Sequence, residues 1–130
     1  AHLPAAMTAH VLFTDIDRER PASTSLVVTA EIIRGSIGFG GLLMSDDVSM
    51  KALGGPLGAR AEAVLAGGSD LVLHCNGIMA EMETVAAASP EISGASGFRL
   101  EAALAVLQQG EAFEPQLAEA AIARALSVSA

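Results

Sequence analysis

Apolar positions in this chain follow two spacings. Short, mainly apolar runs at 6–13 (AMTAHVLF), 42–44 (LLM) and 71–73 (LVL) have the length and content of buried strands, whereas elsewhere apolar residues return every third or fourth position. The first run reads as a strand that leaves into TDIDRERPAST, a polar loop broken by Pro21. Ser25 is placed to cap a helix of about three turns, with Leu26, Ala30, Ile33 and Ile37 on one face and Gly38 closing it. After GFGG, the apolar Leu42-Leu43-Met44 ends abruptly at Ser45-Asp46-Asp47. A second helix is expected in ARAEAVLAGG, where Ala61, Val64 and Leu65 share a face and paired glycines stop the pattern. Ser69-Asp70 then introduces LVLHCN, GIMAEMETVAAASP is helix-like up to Pro90, and two further helical patterns follow, the last with Pro115 at its first position.

Strand, helix, strand, helix, strand and then several helices implies right-handed crossovers and a parallel sheet covered by helices, an α/β fold. Three strands are few for a parallel sheet that must be buried on both faces. Residues 1–130 are therefore expected to form the C-terminal portion of a single (β/α)₈ TIM-type barrel, with the N-terminal portion lying outside the chain.

Composition narrows the chemistry. The chain is 52% hydrophobic, with four Phe but no Trp or Tyr, and its mean hydropathy of +0.49 excludes disorder. Small aliphatic side chains suit helices packed on buried parallel strands. Seven Lys and Arg against a net charge of -8 supply no basic stripe, so a nucleic-acid partner is not expected. No run approaches the ~20 apolar residues of a membrane span, and no membrane partner is expected. A lone cysteine, Cys75, rules out an internal disulfide framework and any multi-cysteine metal site, which points to a reducing, cytoplasmic location.

In α/β sheets reactive groups gather where strands end. Three such ends carry His10, Ser45-Asp46-Asp47, and His74-Cys75-Asn76. A carboxylate there can attack an anomeric carbon, and a second can orient its neighbour. Ser and Asp at that point equally suit the cap of a following helix. His10 is as compatible with a hydrogen-bonded structural role as with catalysis, and His74 fits a packed strand end. The cluster Gly35, Gly38, Gly40 and Gly41 precedes a strand and so reads as a helix end and turn, not a phosphate loop.

MTAHVLF, Asp17 with Pro21-Ala22 and Ser25, IIRGSIGFGGLLMSDDVSM and RAEAVLAGGSDLVLHCN resemble, in order and spacing, the bacterial β-N-acetylhexosaminidases of glycoside hydrolase family 3. The resemblance covers most of 6–76. It implies that Asp46 is the nucleophile of a retaining mechanism, with Asp47 a supporting neighbour and His10 and Met50 near the sugar pocket. Val48 stands where Leu is common in the family. A KHFPGHG-type segment, whose loop supplies an Asp-His acid/base pair in relatives, has no match in these residues. By the resemblance the substrate is an N-acetylglucosaminyl muropeptide, an amino-sugar glycoside released during peptidoglycan recycling, and neither a metal nor an organic cofactor is implied.

Two other classes remain open from sequence. One is a non-catalytic half-barrel that closes its sheet against its missing N-terminal half or a second copy. The other is a flavodoxin-like small-molecule binding domain, which would require about five strands.

Overall fold

The computed structural model describes residues 3–107 and 114–127. Three parallel strands, β1 (Ala5–Met7), β2 (Leu42–Asp47) and β3 (Leu71–Leu73), form a sheet in the order β1-β2-β3. A short 3₁₀ turn (Ala22–Thr24) and a π-helix (Val28–Ser36) connect β1 to β2. Helix α1 (Leu57–Ala66) connects β2 to β3, and α2 (Met79–Ala87), α3 (Gly94–Leu107) and α4 (Pro115–Ser127) follow. The expected α/β alternation and parallel sheet are present. Pro115 opens α4 as its first residue, where its missing N–H costs nothing.

The hydrophobic core lies where α1 and α2 meet the sheet. Val48, Ala61 and Val64 are fully buried there with Leu53 and Val85, and Leu57, Val72 and Ala88 pack against them. Ala61 and Val64 thus occupy the face that periodicity assigned them, while Leu65 is only half-buried. Gly67 closes α1 against the 3₁₀ turn, where a Cβ would stand 2.7 Å from the Thr24 carbonyl carbon. Gly68 follows with φ +93°, a left-handed conformation that ends the helix.

Three local expectations need correction. The first strand covers Ala5–Met7 and not 6–13, because beyond Thr8, whose N–H still reaches Met44 O at 2.8 Å, the chain turns to bond its own loop. Ala9 O and Val11 O accept from the amides of Ser23 and Ala22 at 3.1 and 2.8 Å. The second strand runs through Asp47 with a polar carboxyl end, as expected, but the apolar face of the first helix is shifted: Leu26 and Ile37 are exposed, and Val28 and Thr29 are buried instead. The first connecting helix, capped as expected by Ser25 Oγ on Val28 N at 3.1 Å, widens into a π-helix, with Ile37 N bonded to Ile32 O at 2.8 Å.

That wide helix presents Arg34 to the amino end of the sheet. Its guanidinium donates to Phe39 O at 2.9 Å, Gly41 O at 2.7 Å and Asp70 Oδ2 at 2.8 Å, and lies over the Phe39 ring. Asp70 collects four donors in all. Leu43 N shares Oδ2 at 2.8 Å, while Oδ1 accepts from Ser96 Oγ at 2.6 Å and Arg99 Nη1 at 2.8 Å. Burial alone would raise this carboxyl's pKa. The bonds from Ser96, Leu43 and Arg99 outweigh it and hold the group below its ordinary value. One buried carboxylate therefore ties the π-helix, β2, β3 and α3 together.

Candidate active site

The opposite, carboxyl end of the sheet holds the acidic pair. Met44 pairs with Leu71 and Asp47 with Leu73, so three residue steps on β2 face two on β3. The extra residue makes a β-bulge at Ser45-Asp46, a device that bends a strand and re-aims its side chains. Ser45, fully buried, fills the gap in the ladder by accepting Leu73 N with its hydroxyl at 3.2 Å. Beyond the bulge Val48 N returns to Leu73 O at 2.9 Å. The pair does not cap a helix: α1 begins at Leu57, behind Pro56, which makes no side-chain cap bond.

The two carboxylates are held differently. Asp46 Oδ1 accepts the Asp47 N–H at 2.8 Å, and among the described residues nothing donates to its second oxygen. Asp47 is fully engaged: Oδ1 accepts Ser49 N at 2.9 Å and Cys75 N at 3.2 Å, and Oδ2 accepts Ser49 Oγ at 2.6 Å. Partial burial pushes the Asp47 pKa up. The Ser49 hydroxyl and amide, the Cys75 amide and the nearby His74 prevail and lower it, so Asp47 stays ionised.

His10 joins this end through its ring. Nε2 lies 2.9 Å from Asp47 O and Nδ1 lies 2.6 Å from the Oγ of fully buried Ser23. A carbonyl only accepts, so Nε2 carries the hydrogen and Nδ1 accepts from the Ser23 hydroxyl. Both nitrogens are occupied within the protein. Met50 N donates to the same Asp47 carbonyl at 3.1 Å, while the Met50 side chain is 42% exposed. The backbone carbonyl of Asp47 thus brings His10, Asp47 and Met50 together. Arg60 of α1 secures the turn that carries Met50, donating to Gly55 O, Val48 O and Met50 O at 2.9, 2.9 and 3.1 Å.

From the third strand end, His74 Nε2 meets Glu81 Oε2 of α2 at 2.9 Å, and its side chain is 5% exposed, as suits a packed strand end. Asn76 Nδ2 donates to the same oxygen, and Asn76 Oδ1 accepts Ile78 N at 3.0 Å. The His74 bond, then that of Asn76, lowers the Glu81 pKa. Glu81 went unnoticed in the sequence, where only its position four residues past a glycine turn distinguishes it. On the loop after β1, Asp17 Oδ2 accepts Ser25 Oγ at 2.6 Å, and Oδ1 accepts the Glu19 and Arg20 amides, which lowers its pKa and fixes the loop to the helix start.

A family model described as "Glycosyl hydrolase family 3 N terminal domain" matches residues 1–128. The chain belongs to glycosyl hydrolase family 3. Among curated relatives, a beta-hexosaminidase from Bordetella avium is 42% identical over 76 residues, covering 57% of this chain and 21% of the relative. Another beta-hexosaminidase, from Aromatoleum aromaticum, is 34% identical over 117 residues, 88% of this chain and 33% of that protein. The chain thus spans between a fifth and a third of the length of these relatives. Its fold aligns with a crystal structure of the β-N-acetylhexosaminidase from Beutenbergia cavernae at TM-score 0.62 and 27% identity, over 79% of this chain and 33% of that one. It aligns with a family 3 β-N-acetylglucosaminidase from Paenibacillus sp. at TM-score 0.65 and 26% identity, over 85% and 24%. The family is one of glycoside hydrolases. Among the described residues no helix is long and apolar enough to cross a membrane.

Proposed function

We propose that this chain carries the nucleophile half of a retaining β-N-acetylglucosaminidase, with Asp46 as the attacking carboxylate. The observation that supports it most is the bulge at Ser45-Asp46, which sets a carboxylate with one unengaged oxygen at the carboxyl end of a parallel sheet. Asp47, saturated by Ser49 and Cys75, serves as the rigid neighbour whose amide holds Asp46. His10 positions that neighbour through its carbonyl, which the Met50 amide shares.

In this reading Asp46 attacks the anomeric carbon as the glycosidic C–O bond breaks, and the leaving oxygen takes a proton from a general acid. The resulting glycosyl ester is hydrolysed by a water that loses its proton to the same group, now a base, which regenerates the Asp46 carboxylate. In this reading the acid/base role falls to a KHFPGHG-type segment, which has no match in these residues. The substrate is terminal N-acetylglucosamine on a muropeptide, cleaved in the cytoplasm during peptidoglycan recycling.

The test is release of 4-nitrophenol from its β-N-acetylglucosaminide by the full natural chain. Asp46→Asn lowers kcat by about 10⁴-fold with an unchanged circular dichroism spectrum. Full activity in that variant would remove Asp46 from its role.

A second reading is a non-catalytic half-barrel that self-associates. It draws on apolar side chains exposed along the first strand and its loop, Met7, Val11, Leu12 and Phe13 each being 45–53% exposed. A monomer by light scattering at micromolar concentration removes that alternative.

A further inference from the structure

We infer that Glu81, on α2 and away from the strand-end motif, is a positioning residue for the acidic pair. The inference rests on the reading of Asp46 as nucleophile. Asp47 Oδ1 is gripped from two directions, by its own turn through Ser49 N and by the neighbouring strand end through Cys75 N. The second grip is only as firm as the loop that holds Cys75. That loop, 74–78, contains Gly77 at φ +72° and has exposed residues from Cys75 onward, so little packing constrains it.

Glu81 supplies the constraint. A single carboxylate oxygen accepts from the side chains on both sides of Cys75, His74 Nε2 and Asn76 Nδ2. The peptide of Cys75 is thereby fixed like a rung between two pegs, its N–H aimed at Asp47. From Asp47 the constraint passes to Asp46, whose Oδ1 accepts the Asp47 amide. His74 is the stiffest link, being nearly fully buried. Its Nδ1 has no hydrogen-bond partner among the described residues, so there the ring's only hydrogen bond is to Glu81.

Glu81 touches no substrate in this scheme, so its loss lowers kcat and leaves KM alone. A misplacement of the reacting carboxylate by a fraction of an ångström costs about tenfold in rate. In the full natural chain, Glu81→Ala is expected to lower kcat about tenfold at unchanged KM, and Glu81→Gln, whose carbonyl oxygen can accept both donors, to restore most of it. Asn76→Ala, at an exposed position, lowers kcat by a smaller factor. Thermal midpoints of all three, followed by circular dichroism, separate positioning from loss of fold. Wild-type kcat in Glu81→Ala, or equal losses in the Ala and Gln variants, overturns the inference. Asp46→Asn measured in parallel keeps the two ideas apart: a dead Asp46→Asn beside a fully active Glu81→Ala sinks only the positioning role, whereas an active Asp46→Asn sinks the nucleophile.

Discussion

Replacing Asp70 by Asn tests whether one buried carboxylate locks the amino end of the sheet. The Asp70 side chain is 2% exposed and receives Arg34, Arg99, Ser96 and the Leu43 amide. Asparagine keeps the volume but removes the charge, and its NH₂ faces two of those donors. Stripping one partner from a buried ion pair costs about 3–5 kcal/mol. Arg34 and Arg99 are 18% and 30% exposed, so water recovers part of their solvation and the low end, about 3 kcal/mol, applies. For a chain of this size that lowers the thermal midpoint by about 12 °C. The chain has no Trp or Tyr, so unfolding is followed by far-ultraviolet circular dichroism instead of fluorescence. Because the folded pKa of Asp70 is lowered, its contribution is complete above the ordinary carboxylate value of about 3.9 and is lost as pH falls through the lower folded pKa. The gap between variant and wild type is therefore full at neutral pH and shrinks in strong acid. A neutral-pH difference below about 1 kcal/mol, or a gap that does not narrow in acid, refutes the lock.

Two further substitutions probe the contacts that frame the site. Gly67→Ala drives a methyl into the Thr24 backbone and destabilises the fold by about 2 kcal/mol in urea unfolding; a neutral result would mean that α1 and the 3₁₀ turn separate easily. His10→Phe fills the same space but leaves the buried Ser23 hydroxyl without its ring partner, at a cost of about 2 kcal/mol. The same variant lowers kcat in the glycosidase assay, since Asp47 O then keeps only Met50 N; unaltered stability and rate would show that His10 holds nothing.

Much of the architecture was legible because local signals carried it. Three short apolar runs marked the three strands, Gly67-Gly68 marked the end of α1, and Ser25 marked a helix start. Asp46 and Asp47 stood out because they broke an apolar run abruptly. The bulge beneath them did not, since a register shift between β2 and β3 is a property of two segments 27 residues apart. The extent of β1 was overestimated for a related reason. Val11, Leu12 and Phe13 look like strand residues, yet the backbone there bonds Ala22, and no local pattern announces that pairing. A π-helix turns more slowly than an α-helix, so Leu26 and Ile37 of the expected face end up exposed while Val28 and Thr29 are buried, and nine residues are too few for that wider period to show in the sequence. Arg34, Asp70 and Arg99 are likewise separated by 36 and 29 positions, and only folding reveals them as one cluster.

Cys75 gives the site a spectroscopic handle. It is the sole thiol of the chain, and it is exposed. What it contributes to Asp47 is its backbone amide, so a label on sulfur leaves that bond chemically intact. In a protein without Trp or Tyr, a maleimide fluorophore there would be the only bright emitter. It would report, from a residue hydrogen-bonded to the acidic pair, each time the neighbouring loop shifts.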